Sequence, residues 1–316
     1  MAICAAIDVG TNTLRLLVAE AGGPDRFTIL HEEQEITRLG EGLTPTSMLQ
    51  DASRRRSLTV LKRFADLTRR FKAEQLAVVA TSAVREARNS EEFVNEAARE
   101  TGLAIRVIDG KEEARLTLLG VRHGLRLESQ RVLVMDVGGG STKFVLASGE
   151  AIEAIVSTGL GVVKLTERHL VSDPPAAAEI RGLEQAVVTR LERLRRELPG
   201  LGGTRLIGTA GTPTTLAAIG LALVTYDRRR VQGHRLSLAR VRELLDRLAA
   251  SPLDERRRIP GLEPGRADVI LAGAAIVAAT MERLGYREMR VSDDGLREGI
   301  LLDLLRKLDR GPQISA

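Results

Sequence analysis

Ile7-Asp8-Val9-Gly10-Thr11-Asn12-Thr13-Leu14-Arg15-Leu16-Leu17-Val18 is echoed 128 positions later by Met135-Asp136-Val137-Gly138-Gly139-Gly140-Ser141-Thr142-Lys143-Phe144-Val145-Leu146. In each stretch an apolar strand ends in aspartate. A turn of small and hydroxyl residues follows, and a second apolar strand leaves it. Repetition at a domain-sized interval predicts two similar halves built on one plan; the interval is far too long for a solenoid. The same alignment sets Lys143 opposite Arg15.

Outward from these turns the pattern is mixed α/β. Strand-like runs fall at 3–8, 14–20, 27–36, 76–81, 104–108, 131–136, 143–148, 151–157, 204–208 and 287–292. Helical periodicity covers 47–72, 90–101, 112–121, 161–170, 176–197, 213–223, 237–249, 266–284 and 296–308. Hairpins open each half and helix-connected strands follow, so mixed sheets are expected. The polar stretch Gly124–Gln130 marks the composition break, Pro174-Pro175 and Pro199-Gly200 read as loops, and Arg310–Ala316 as a frayed tail.

Composition narrows the function. With 316 residues, 43% apolar and 28% charged, the chain can bury a real core and is neither disordered nor collagen-like. One cysteine, Cys4, allows no internal disulfide and fits a reducing, cytoplasmic setting. No secretory signal is expected, since Met1–Ala6 lacks a basic start and Asp8 breaks the apolar run. The longest apolar stretch, Val269–Met281, is shorter than the ~20 residues a membrane span needs. Six of the 47 basic residues are lysine and the rest arginine, whose planar fork suits phosphate. Aromatic residues are 2% with no tryptophan, which leaves no stacking platform for nucleic acid. A phosphate anion is the better expectation.

Gly138, Gly139 and Gly140 let backbone N–H groups approach a phosphate, Ser141 and Thr142 add hydroxyls, and Asp136 can hold a divalent ion. A plain tight hairpin would also use such residues; recurrence at Asp8, Gly10, Thr11, Asn12 and Thr13 favours phosphate binding. Two such hairpins facing each other would clamp an anion. The Walker phosphate loop is excluded: Lys143 follows Ser-Thr instead of preceding them, and a strand continues. A third loop, Gly208-Thr209-Ala210-Gly211-Thr212, precedes a helix with Pro213 in its first turn, a further anion-binding position.

These motifs resemble the exopolyphosphatase / guanosine pentaphosphate phosphohydrolase (Ppx/GppA) family, in the superfold of actin, sugar kinases and heat-shock ATPases. The resemblance rests on Ile7–Leu16, Ala80–Asn89, Asp109–Leu116, Asp136–Thr142, Leu160–Glu167, Gly208–Leu216, Pro260–Asp268 and Val291–Gly299 in family order. It implies duplicated ribonuclease H-like domains, 1–125 completed by a C-terminal helix at 296–316, and 126–295, with the active site in the cleft between them. None of the four histidines precedes an aspartate, so this looks like the short form without an HD-type domain.

The resemblance further implies removal of terminal phosphate from inorganic polyphosphate, with guanosine pentaphosphate (pppGpp) as a second substrate. It implies a guanosine tetra- or pentaphosphate partner, Mg²⁺ or another divalent cation, and a homodimer. Neither nucleic acid nor membrane is expected as a partner. The general base would be Glu113; the adjacent Glu112 points about 100° away on a helix. Apart from the resemblance, both read as solvated first-turn residues favoured by the helix dipole; with the motif in register, Glu113 is the better candidate for the base. Arg15 and Arg85 match phosphate-binding positions, with surface or domain-interface ion pairs as the bland alternative. Lys143 departs from the family pattern, where glutamate follows Gly-Gly-Gly-Ser-Thr and joins the aspartate at the metal. Three readings stay open: Lys143 replaces the metal's charge; turnover is lost and the chain is a polyphosphate- or (p)ppGpp-binding regulator; or the side chain points to solvent. The basic run Arg54–Lys72 is either a solvated face or a track for a polyphosphate chain. A kinase of the same superfold is a third class, against which the motifs argue.

Overall fold

β1 (Ile3–Val9) and β2 (Thr13–Gly23) pair antiparallel around the first turn, and β3 (Arg26–Ile36) adds to the hairpin. β4 (Gln75–Ala80) lies parallel to β1, and β5 (Ile105–Val107) parallel to β4, giving the sheet order β3-β2-β1-β4-β5. A second sheet repeats the plan. In it β6 (Arg131–Val137), β7 (Thr142–Ser148) and β8 (Ala151–Thr158) form the meander, while β9 (Arg205–Thr209) and β11 (Glu288–Val291) run parallel to β6. β10 (Arg235–Ser237) caps the far edge, antiparallel to β11. At three residues it is too short to show a strand period in sequence. This computed structural model describes residues 2–127, 129–149 and 151–309. Expectations about Arg310–Ala316, and about the last turn of a helix reaching 316, lie outside those residues.

The chain divides into two compact units: the described residues of Met1–His123 with Gly295–Ala316, and those of Gly124–Asp294. In the first, side chains alternate between the two faces of the sheet, as the two-residue strand period requires. Ala5, Ile7, Val9, Leu14 and Leu16 pack with Leu61, Phe64 and Phe93 from the helices Asp51–Arg70 and Ser90–Thr101. Cys4, Ala6, Leu17 and Ala19 face the other way, against Leu116 of helix Gly110–Leu125 and Ile300 and Leu301 of helix Leu296–Asp309. Both faces are covered, so β1 reads as a nearly continuous apolar run. Each fully buried leucine or phenylalanine contributes about 1.5–3 kcal/mol of burial.

In the second unit helix Ile270–Leu284 is buried along most of its length and packs against helices Leu238–Ala250 and Ala177–Glu197. An all-round apolar helix of this length belongs in a core. The Val269–Met281 run is therefore the centre of this unit, and no described helix is long and apolar enough to cross a membrane.

The basic run on helix Asp51–Arg70 is largely neutralised. Arg54 pairs with Glu92 at 2.7 Å and Glu96 at 2.5 Å, Lys62 with Glu100 at 2.8 Å, and Arg63 with Glu33 at 2.6 Å and Glu35 at 2.9 Å. These carboxylates remove most of the charge that a polyphosphate track would use, and the run is an ion-paired surface face.

Candidate functional site

The two turns share one geometry. Gly10 N–H donates to the Thr13 carbonyl at 3.2 Å, and Gly138 N–H to the Ser141 carbonyl at 3.0 Å. A Cβ on Gly10 would lie 2.7 Å from that oxygen, and one on Gly138 2.9 Å, so only glycine fits either turn. Cα register sets Asp8 opposite Arg15 and Asp136 opposite Lys143. The two segments repeat each other residue for residue through the turn.

Elsewhere in each turn the carbonyls are tied back to the protein. The Thr11 carbonyl accepts from Gly40 N–H (2.8 Å) and that of Asn12 from Arg38 N–H (3.0 Å). In the second unit Val162 and Val163, at the start of helix Val162–His169, donate to the carbonyls of Gly138 (3.1 Å) and Gly139 (3.0 Å). Gly161 permits this approach, since a Cβ there would meet the Gly140 carbonyl carbon at 2.2 Å. In a trans peptide the N–H points away from the carbonyl before it. The N–H groups of Asn12, Gly139 and Gly140 are thus directed away from these anchors, and among the described residues none donates to an acceptor. Asn12 Nδ2 and Ser141 Oγ are likewise buried with no hydrogen-bond partner. Buried polar groups are nearly always satisfied, and successive outward N–H groups make an anion-binding nest.

Several expected contacts belong instead to the scaffold. Thr142 Oγ1 donates to the Leu160 carbonyl at 2.6 Å, and Thr209 Oγ1 to the Asp294 carbonyl at 3.0 Å. Each hydroxyl proton is thereby committed inside the protein. Gly208 lies within β9, between β6 and β11, and its missing side chain makes room for Met289 Sδ. The Thr142 and Thr209 hydroxyl protons are therefore unavailable to phosphate, and Gly208 is a strand residue rather than part of the loop. Ala210, Gly211 and Thr212 remain at the start of helix Gly211–Gly220. Ala210 holds φ +71°, ψ −169°, a region nearly confined to glycine that costs about 1–3 kcal/mol. Sequence reading missed this strain, and it missed Arg266, whose guanidinium fills the space beside Gly211. Arg266 lies in the quoted Pro260–Asp268 motif, which was the available signal.

Glu113 sits in the first turn of helix Gly110–Leu125, capped by Asp109, which accepts the N–H groups of Lys111 (2.9 Å) and Glu112 (2.8 Å). These bonds, Glu112's foremost, hold the Asp109 carboxyl below the usual carboxylate range. The two glutamates diverge as helix geometry demands. Glu112 reaches Arg106 at 2.6 Å; Glu113, only 3% exposed, lies 3.3 Å from Arg85 Nη1. The solvated reading of Glu113 is excluded by that burial. Arg85 also donates to the Ile108 carbonyl at 2.7 Å, which anchors its guanidinium beside the carboxyl end of β5. Thr11 Oγ1 accepts Ala83 N–H at 3.2 Å, and Thr81 N–H reaches the Val9 carbonyl. The first turn, Arg85 and Glu113 thus gather at the carboxyl ends of β1, β4 and β5, where open α/β sheets bind ligands. Asp8 and Arg15 share the sheet face of Cys4, Ala6 and Leu17, the face covered by the helix that carries Glu113. Among the described residues Arg15 has no ion pair.

A divalent ion at Asp136 does not suit the residues present. Lys143 is 2% exposed, stands opposite Asp136 in register, and its Nζ lies 3.9 Å from where a Cβ on Gly138 would be. A buried ammonium offers no lone pair while protonated and repels a dication. Among the described residues no group of three or more His, Cys, Asp or Glu is placed to hold a metal. The outward, solvent-facing reading of Lys143 is excluded by the same burial.

The fold is one α/β plan used twice, each unit carrying a glycine turn with unused donors at the carboxyl end of its central strand. The chain belongs to the Ppx/GppA phosphatase family, whose model matches residues 17–308. It is 36% identical over 312 residues to exopolyphosphatase 2 of Mycobacterium tuberculosis, covering 95% of this chain and 98% of that one. It is 30% identical over 301 residues to the guanosine-5'-triphosphate,3'-diphosphate pyrophosphatase of Aeromonas hydrophila, covering 95% of this chain and 59% of that protein. Among solved structures, the Ppx/GppA family member of Aquifex aeolicus superposes with a TM-score of 0.82 at 34% identity, covering 99% of each chain.

Proposed function

We propose that the chain is an exopolyphosphatase that releases terminal orthophosphate from inorganic polyphosphate, and that it also accepts pppGpp. One observation carries the mechanism: a buried glutamate, held by an arginine, beside a turn whose donors lack partners. Membership of a phosphatase family and the relatives' names support the substrate class.

In this reading each unit offers its own phosphate contacts: the Asn12 amide and Asn12 Nδ2 with the cations Arg15 and Arg85 in the first, and the Gly139 and Gly140 amides with Ser141 Oγ in the second. Glu113 accepts a proton from water as its oxygen attacks the terminal phosphorus. The bond from phosphorus to the bridging oxygen breaks, that oxygen leaves on the shortened chain, and orthophosphate departs. Positioned base catalysis of this kind contributes about 10²–10⁴ in rate. Exopolyphosphatases of this family generally depend on a divalent cation; in this chain the buried Lys143, opposite Asp136 in register, supplies positive charge of its own. A homodimer acting in the cytoplasm completes the proposal.

The test is phosphate release from polyphosphate and from pppGpp, measured in EDTA, Mg²⁺ and Mn²⁺. Release that Glu113→Gln abolishes supports the assignment. Binding of the chain with no release under any of the three conditions would leave a polyphosphate-binding regulator in its place.

A further inference from the structure

We propose that Lys143 is the resident cation of the Gly138–Ser141 turn, and that this turn holds the end of a polyphosphate chain without a divalent ion at Asp136. This rests on the phosphate-chain reading above and deepens it. Three observations carry it. Lysine is seldom fully buried unless paired, and Lys143, 2% exposed in the middle of a hairpin, keeps its ammonium engaged inside the protein. Its Nζ lies 3.9 Å from where a Cβ on Gly138 would be, in the turn whose Gly139 and Gly140 amides and Ser141 hydroxyl lack partners among the described residues. The first unit repeats the arrangement, with Arg15 opposite Asp8 in the register that sets Lys143 opposite Asp136. Each hairpin therefore presents a strand-end carboxylate, a phosphate-sized turn, and a cation on the returning strand.

An ammonium is a compact donor of three hydrogen bonds and a point charge, which suits a phosphate oxygen. A hydrated dication would need oxygen ligands where this ammonium stands, and the two charges would repel. The lysine and the ion are thus alternatives at one position. Arg15 is the matching cation on the returning strand of the first unit's hairpin.

The experiment is isothermal titration of the full chain with inorganic polyphosphate, in a Glu113→Gln background that stops turnover, in EDTA and in Mg²⁺. The expected result is equal affinity, within about threefold, in both buffers. Lys143→Met should weaken binding in EDTA by roughly tenfold or more, as expected for loss of a charge-assisted contact, and Lys143→Arg should retain it. Lys143→Glu should bind only when Mg²⁺ is present. Mg²⁺-dependent binding by the protein with Lys143 intact, Lys143→Met binding as tightly as its parent, or no binding in either buffer would each overturn the proposal. Circular dichroism checks folding of each variant. If Lys143→Met does not fold, the comparison of EDTA with Mg²⁺ on the unsubstituted lysine decides alone. Absence of phosphate release by the Glu113 protein would overturn the hydrolase reading and leave this titration to judge Lys143 separately.

Discussion

Arg85 Nη1 stands 3.3 Å from Glu113 Oε2, while the same nitrogen donates to the Ile108 carbonyl at 2.7 Å. One guanidinium thus ties a buried carboxylate to the end of the first sheet. Glu113→Gln keeps the shape and the hydrogen bond but removes the base, so phosphate release should fall by about 10²–10⁴ with little change in melting temperature. Arg85→Ala should act differently, leaving the buried carboxylate without its cation and costing about 1–3 kcal/mol of stability as well as activity. Urea denaturation beside initial rates separates the two. Equal stability loss in both variants would contradict the assigned roles.

The turns should tolerate no side chain at their first glycine. A Cβ on Gly10 or Gly138 runs into a backbone oxygen at 2.7 or 2.9 Å, which no rotamer can relieve. Gly10→Ala and Gly138→Ala are each expected to cost about 1–3 kcal/mol through forced backbone shifts, and to weaken polyphosphate binding. Full activity in either alanine variant would show that the turn shape is not required.

Ser141 and Thr142 are neighbours with opposite expected phenotypes. Ser141 Oγ is buried without a partner, so Ser141→Ala should leave stability unchanged or raise it by up to about 1 kcal/mol while raising KM for polyphosphate. Thr142→Val strands the Leu160 carbonyl and should cost about 1–3 kcal/mol. Thermal melts and KM measurements on the two variants check the contrast, and a reversed pattern would return Thr142 to the phosphate contacts.

Acid should weaken one surface device in particular. The Ser172 hydroxyl (2.6 Å), then the Ala176 N–H (2.9 Å), hold the Glu179 carboxyl down to about 2. Its proton affinity is lower folded than unfolded, so the stabilisation is complete above a pH of about 4.5 and is lost as pH falls toward 2. Glu179→Gln should therefore be less stable than its parent at pH 7, and the gap should narrow below about pH 4.5. Denaturation midpoints across that range report it; a constant gap would contradict the linkage.

The repeated Asp-to-turn segments were legible because a hairpin around a glycine turn is a local object, specified by residues within about ten positions of one another. The order of the longer strands and helices followed from periodicity for the same reason, while β10 and the short helices Ser82–Glu86, Arg228–Val231 and Leu253–Arg256 did not. Ala210 was not legible, since its positive φ is imposed by the surrounding loop against its own preference. Nor was the difference between Ser141 and Thr142, two hydroxyls in one motif whose partners lie elsewhere in the chain. The basic helix misled in the same way: its neutralising carboxylates, Glu92, Glu96 and Glu100, belong to another helix.

Sequence by itself determined the duplicated plan, the glycine turns, the family, and Glu113 as a candidate base, because each depends on residue type and short-range spacing. Tertiary structure decided which of those side chains still hold an unused donor, which carboxylate is buried against an arginine, and that Lys143 turns inward. Those properties are set by packing and hydrogen-bond competition among residues tens to hundreds of positions apart, which no local pattern encodes.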